Sequence, residues 1–266
     1  MSRGSSQIAA LVATHLHDRR RSLLAWGLPL GLMSAFVVAI YPSVQSSLTK
    51  AMRNYPAGLK EAFGISEISN VGQYLHAEML SLIVPLAVGY LGVRAVASGL
   101  AGAAESGRLD VLLSAPVPRR RICAAGFLAA AVEVAGVLVL TGLLTGLGSV
   151  LAGAGLPAGP ATAGFASVWP LALLAAGLGI VVCGISLRTP VVTGSVAGAL
   201  VAMYVLDLVG RLDTSLDWVR YVSVFRYYGN AIEDGLDPLA FCGTTVVAVL
   251  FAAVGAALFE RRDIAA

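Results

Sequence analysis

Six uninterrupted apolar runs dominate this chain, at residues 23–41, 79–100, 122–147, 168–187, 190–209 and 239–259. A helix rises about 1.5 Å per residue, so roughly 20 residues cross the 30 Å or so of a bilayer's hydrocarbon. The runs are apolar on every side and rich in Leu, Ala, Val and Gly. Membrane strands would instead alternate in polarity, so helices, which satisfy their own backbone hydrogen bonds, are what these runs predict. Only 12% of the residues are charged, against roughly 25% in a soluble domain, and the mean hydropathy is +0.83. The expected fold class is an all-α integral membrane protein with six transmembrane helices.

Basic residues give the expected orientation. Of the 18 Lys and Arg, eleven flank one set of loops, six flank the other, and Arg94 falls inside a span. Loops rich in Lys and Arg stay cytoplasmic, so both termini are expected there. Acidic residues such as Glu61, Glu67, Glu78, Asp213, Asp217 and Glu233 collect in the opposite loops. The net charge of +3 then reads as anchoring to an anionic inner leaflet, with no support for nucleic acid as a partner. The first run has full spanning length after Arg19–Arg21 and lacks a small-residue cleavage site, so a retained helix is expected. Cys123, Cys183 and Cys242 show no metal or redox spacing and read as small apolar filler.

The connections carry their own patterns. Ile8, Leu11, Val12 and Leu16 recur at helical spacing ahead of the arginines, which predicts a helix over 6–21 lying on the inner surface, with His15 and His17 on its polar side. In the first outer loop, 42–78, Val44, Leu48, Met52 and Tyr55 form one stripe, Pro56 breaks it, and Leu59 with Phe63 begin another. Two short amphipathic outer helices are expected. The second outer loop, 152–167, is uncharged and small, which suits a tight connection. The third, 210–238, mixes Trp218, Tyr221, Phe225, Tyr227 and Tyr228 with charges, fitting either an aromatic belt or a re-entrant segment.

The cytoplasmic stretch "ESGRLDVLLSAPVPRRR", residues 105–121, gathers charge in a chain otherwise short of it. Leu109, Leu112, Leu113 and Pro116 fall on one helical face, Glu105, Arg108 and Asp110 surround it, and Pro116 and Pro118 end it. That apolar face has two available homes, the inner leaflet or a groove in a cytoplasmic partner. Arg119–Arg121 suit the leaflet, while the mixed charges of Glu105 and Arg108 suit docking.

The same stretch resembles the signature E-x-G-x-L-x-x-L-L-x-x-P-V-x-R of the ABC-2 type membrane permeases, matching at Glu105, Gly107, Leu109, Leu112, Leu113, Pro116, Val117 and Arg119. "YPAGLKEAFGI", "VSVFRYYGN" and "FERRDI" are similar to antibiotic and polyketide exporters of that family. The resemblance implies an N-terminal cytoplasmic interface helix over 1–22 and a six-span permease domain over 23–266, with a coupling helix at 104–118. It further implies two separate ATP-binding subunits that hold ATP and Mg, and a second permease chain, identical or paralogous, in a bacterial plasma membrane. In that setting Glu105 and Arg108 would make polar contacts to the ATPase. Leu109, Leu112 and Leu113 would be the buried stripe, Gly107 the point of close approach and Pro116 the stop. Arg119 completes the signature beside the leaflet and would belong with these residues to the coupling site for the ATPase. The chain has no G-x-x-x-x-G-K-[ST] phosphate loop, so it is expected to be no enzyme and to bind no cofactor itself.

Inside the membrane, Arg94 and Glu133 stand out, because charge facing lipid is costly. They could pair across antiparallel helices or face a cavity, and Arg94 could instead snorkel to the inner interface. Asp207 falls close enough to the outer end to reach water. "GLLTG" at 142–146 and "GSVAG" at 194–198 permit close helix contact, within the bundle or between chains. The expected function is a permease moving an amphiphilic or lipophilic cargo outward. The alternative is an ion-gradient-driven transporter built on Arg94 and Glu133. No paired carboxylates, His cluster or activated nucleophile supports catalysis or a metal.

Overall fold

The computed structural model describes residues 2–53, 70–108 and 118–261. All regular structure among the described residues is helical: α1 (Ser2–Arg53), α2 (Val71–Leu75), a π-helical turn (His76–Leu80), α3 (Ile83–Glu105), α4 (Arg119–Ala152), α5 (Ala158–Ala166), α6 (Trp169–Ile185), α7 (Thr189–Leu212), 3-10 segments at Thr214–Val222 and Val224–Arg226, and α8 (Pro238–Arg261). Six stretches are long and apolar enough to span a membrane: Arg21–Ser47 within α1, α3, α4, Ala158–Ile185 made of α5 and α6, α7, and α8. The described residues thus form an all-helical fold with six candidate membrane spans.

Three connections differ from expectation. Residues 6–21, expected as a separate surface helix, run without a break into the first span. Val44, Leu48 and Met52, expected on an outer helix of their own, belong to the same helix α1, which continues through Pro29 and Pro42. Membrane helices tolerate proline because the freed backbone groups can be satisfied locally. Tyr55, Leu59 and Phe63 lie outside the described residues. The second outer loop, expected as a tight connection, contains α5. Its small residues lie so close to α4 that a Cβ on Gly142 would come within 2.6 Å of the Thr162 backbone, and one on Gly146 within 2.6 Å of Ala158. "GLLTG" therefore packs within the bundle. Gly194 and Gly198 of "GSVAG" meet no atom within 4 Å of such a Cβ.

α6 is the most enclosed span and forms the hub, with α8 along one side and α3 along another, while α1 lies along α4 and α7 leans on α3. Buried hydroxyls are paid off by backbone carbonyls one turn back: Thr141 Oγ1 donates to Val137 O at 2.8 Å and Thr145 Oγ1 to Thr141 O at 2.7 Å. The Trp169 indole donates to Ala131 O at 2.9 Å, joining α6 to α4. Without water in the hydrocarbon, such bonds are what make these polar groups tolerable. Cys123 and Cys183 are buried, and Cys242 is exposed.

Candidate functional site

α3 ends where the loop expected on the cytoplasmic side begins. Ser106 N donates to Gly102 O and Gly107 N to Ala104 O, both at 3.1 Å, and Gly107 takes a φ of +69°. That left-handed conformation closes the helix and favours glycine. Nothing in the described chain lies within 4 Å of a Cβ there, so the backbone alone accounts for the glycine. Residues 104 and 105, expected in the coupling helix, form the last turn of α3. Arg108 Nε donates to Ser106 Oγ at 3.0 Å. Leu109, Leu112, Leu113 and Pro116 lie outside the described residues.

Glu105 has a partner within the chain. Its carboxylate accepts from Thr189 N and from Thr189 Oγ1, each at 2.8 Å. Thr189 is the first residue of α7, and Arg188, the N-cap, supplies no side-chain cap. The first turn of a helix presents unpaired N–H groups and partial positive charge, so an anionic oxygen there satisfies both. Glu105 therefore joins the end of α3 to the start of α7.

At the other margin of the loop, Pro118 caps α4, which begins with Arg119, Arg120 and Arg121. Three cations at a helix N-terminus oppose its dipole, and Arg120 is neutralised by Glu260 near the end of α8. Arg119 also makes a contact of its own.

Arg94 and Glu133 do not pair. Glu133 is 3% exposed on the inward face of α4 and is engaged elsewhere. Arg94 lies on the outward stripe of α3 with Tyr90 and Ser98, while Val93, Val96 and Ala97 face the bundle. The four-residue spacing of 90, 94 and 98 keeps all three on one side.

The opposite end of the bundle, expected on the outer side, holds a cluster that sequence reasoning missed. Asp207, expected to reach water, is 2% exposed. Its carboxylate accepts from Arg211 Nε at 2.8 Å and from Arg220 Nε at 3.1 Å. Arg220 also donates to Asp217 at 2.8 Å, and Arg226 does so at 3.3 Å. The Arg226 guanidinium sits 4.1 Å from the centre of the Tyr221 ring. The four-residue step from Asp207 to Arg211 was the one local signal available. Arg220 is 13 residues from Asp207, and nothing in the sequence marks that pair.

These bonds fold the third outer loop over the bundle. Val224 and Phe225 are buried, whereas Trp218 and Tyr221 stay 66% and 60% exposed. The Tyr228 hydroxyl donates to Leu80 O at 2.9 Å, and burial raises its phenol above the usual range. His76 is pushed down to about 4 by burial and by Arg211, with Asp234 opposing. Its Nδ1 is buried without a hydrogen-bond partner. Among the described residues, no three His, Cys, Asp or Glu side chains gather into a group that could hold a metal.

A family model described as "Multidrug efflux system permease Rv1217c, C-terminal domain" matches residues 10–260. A search of curated proteins gives no match.

Proposed function

This chain belongs to that family of multidrug efflux system permeases, and from that premise we propose that it is the membrane subunit of an ATP-driven exporter. In this reading two separate ATP-binding subunits hold ATP and Mg. A second permease chain, identical or paralogous, completes the pathway, and an amphiphilic or lipophilic cargo leaves across the plasma membrane. Both termini are cytoplasmic, and the stretch around Leu109, Leu112 and Leu113 docks on an ATPase.

The observation that carries the reading is the Glu105 carboxylate bound at the start of α7. α7 runs 24 residues without interruption, about 36 Å at the usual helical rise. Its inner end is tied to the loop by Glu105, and near its outer end Asp207 is tied to the outer loop by Arg220. A displacement of the loop, driven by closure of the ATPases, moves one rigid helix and with it the cover on the outer side. Packed helices shift as units because close-packed interfaces do not deform continuously. The gradient-driven alternative relied on Arg94 and Glu133 meeting, and they do not.

The test is mild extraction of the tagged chain from its native membrane, with mass spectrometry of what copurifies and an ATPase assay. The expected result is an ATP-binding subunit in stoichiometric amount, lost when Leu112 and Leu113 are both replaced by Asp. A chain that emerges alone and without ATPase activity refutes the reading.

A further inference from the structure

We propose that Arg94 is the anion-recognition residue of this permease, binding the carboxylate or similar head of an amphiphilic cargo on the outward face of α3. The inference rests on the efflux reading above and adds a substrate class to it.

Arg94 sits eleven residues from either end of α3 (Ile83–Glu105), about 16 Å along the axis each way. That places the guanidinium within the apolar part of the span. It is exposed in the single chain, between Tyr90 and Ser98 on one stripe. α1 reaches that stripe through Trp26, whose ring centre is 6.0 Å from that of Tyr90. α7 borders α3 through Leu200, which packs over Gly89. The setting is an aromatic and aliphatic surface with one cation in it.

No hydrogen bond or ion pair engages Arg94 among the described residues, and no carboxylate of the described spans is open to it. Away from helix ends, the spans contain two acids, Glu133 and Asp207. Glu133 is 3% exposed and engaged elsewhere. Asp207 is 2% exposed and held by Arg211 and Arg220. A second identical chain would bring the same two groups, equally enclosed. An arginine facing hydrocarbon without a counterion is costly, so such residues face a cavity or a partner. The anion therefore arrives with the cargo. A guanidinium fits a carboxylate through two parallel hydrogen bonds, and the apolar flanks accept the rest of an amphiphile.

The test uses the full chain in phosphatidylcholine nanodiscs, without any ATPase. Three fluorescent probes share one dodecyl body and end in a carboxylate, its methyl ester or a trimethylammonium. The expected result is that the carboxylate binds about tenfold tighter than the ester, as one charge-assisted pair in a dry site supports. Arg94→Gln abolishes that preference and leaves the other two probes unchanged, and Arg94→Lys keeps part of it. Ser98→Asp, which places an anion one turn along the same stripe, weakens carboxylate binding in the same way without removing the arginine. An equal loss for all three probes, or no preference in the parent chain, overturns the proposal. A preference that vanishes in discs containing phosphatidylglycerol assigns the site to lipid headgroups and overturns it too. Binding needs no ATP, so failure here leaves the copurification test of the exporter reading intact, and the reverse holds as well.

Discussion

The Glu105 carboxylate holds both the backbone N–H and the hydroxyl of Thr189, residues 84 positions apart, at 2.8 Å each. One side chain thus ends one span and caps another. It lies two residues before Gly107, where the chain turns into the loop 108–118, so it joins the start of that loop to α7.

If that joint transmits motion, Glu105→Ala and Thr189→Val should each reduce ATP-driven transport severalfold, with the ATPase subunit still bound. The double variant should be no worse than either single one, because both remove the same joint. Transport and copurification measured on the three variants check this. Additive losses would place Glu105 on the ATPase instead.

Gly107→Ala forces a side chain into the left-handed region, at a cost of about 1 kcal/mol. Thermal unfolding in detergent should register that loss. Gly107→Asn should register less of it, because asparagine tolerates this conformation. Equal stability of both variants with the parent would mean that the turn is not held at its φ of +69°.

Much of the architecture was legible from the sequence because a bilayer leaves so few options: six runs apolar on all sides can only be spanning helices. What escaped was set by packing. α5 hid in a Gly, Ala and Pro stretch that reads locally as a turn, and it is helical because its small residues fit the glycines of α4. Asp207 read as exposed because nothing local announced Arg220. Glu105 was marked by its signature, yet its partner at the start of α7 could not be seen without the fold. A pairing of Arg94 with Glu133 was one of the open readings because antiparallel neighbours permit it, and helical phase turns them to different sides.

The two glycine motifs should respond oppositely to bulk. Gly142→Leu drives a side chain into the Thr162 backbone and should destabilise the bundle by about 1–3 kcal/mol or more, the usual cost of overpacking. Gly198→Leu meets open space and should shift stability by no more than about 0.5 kcal/mol. Unfolding curves of the two variants in the same detergent decide the matter. A large loss at Gly198 would show that a contact from another chain survives extraction.

His76 gives the outer end an acid-sensitive element. Burial and Arg211 hold its pKa at about 4, below the ordinary 6.5, so the folded protein keeps the ring neutral where the unfolded chain would protonate it. The stability this group confers is fully present above pH 6.5, falls as the pH drops from 6.5 towards 4, and changes no further below that. A shift of this size amounts to roughly 3 kcal/mol as an upper bound. Unfolding midpoints measured between pH 7 and pH 4 should therefore fall more steeply for the parent chain than for His76→Leu, in which the titrating ring is gone. Because the charge of Arg211, which binds Asp207, is felt at the ring, protonation should also loosen the segment that Arg220 ties to Asp207, seen as faster hydrogen exchange across 214–228 at low pH. Parallel pH profiles for parent and variant would show that the acid response originates in other groups.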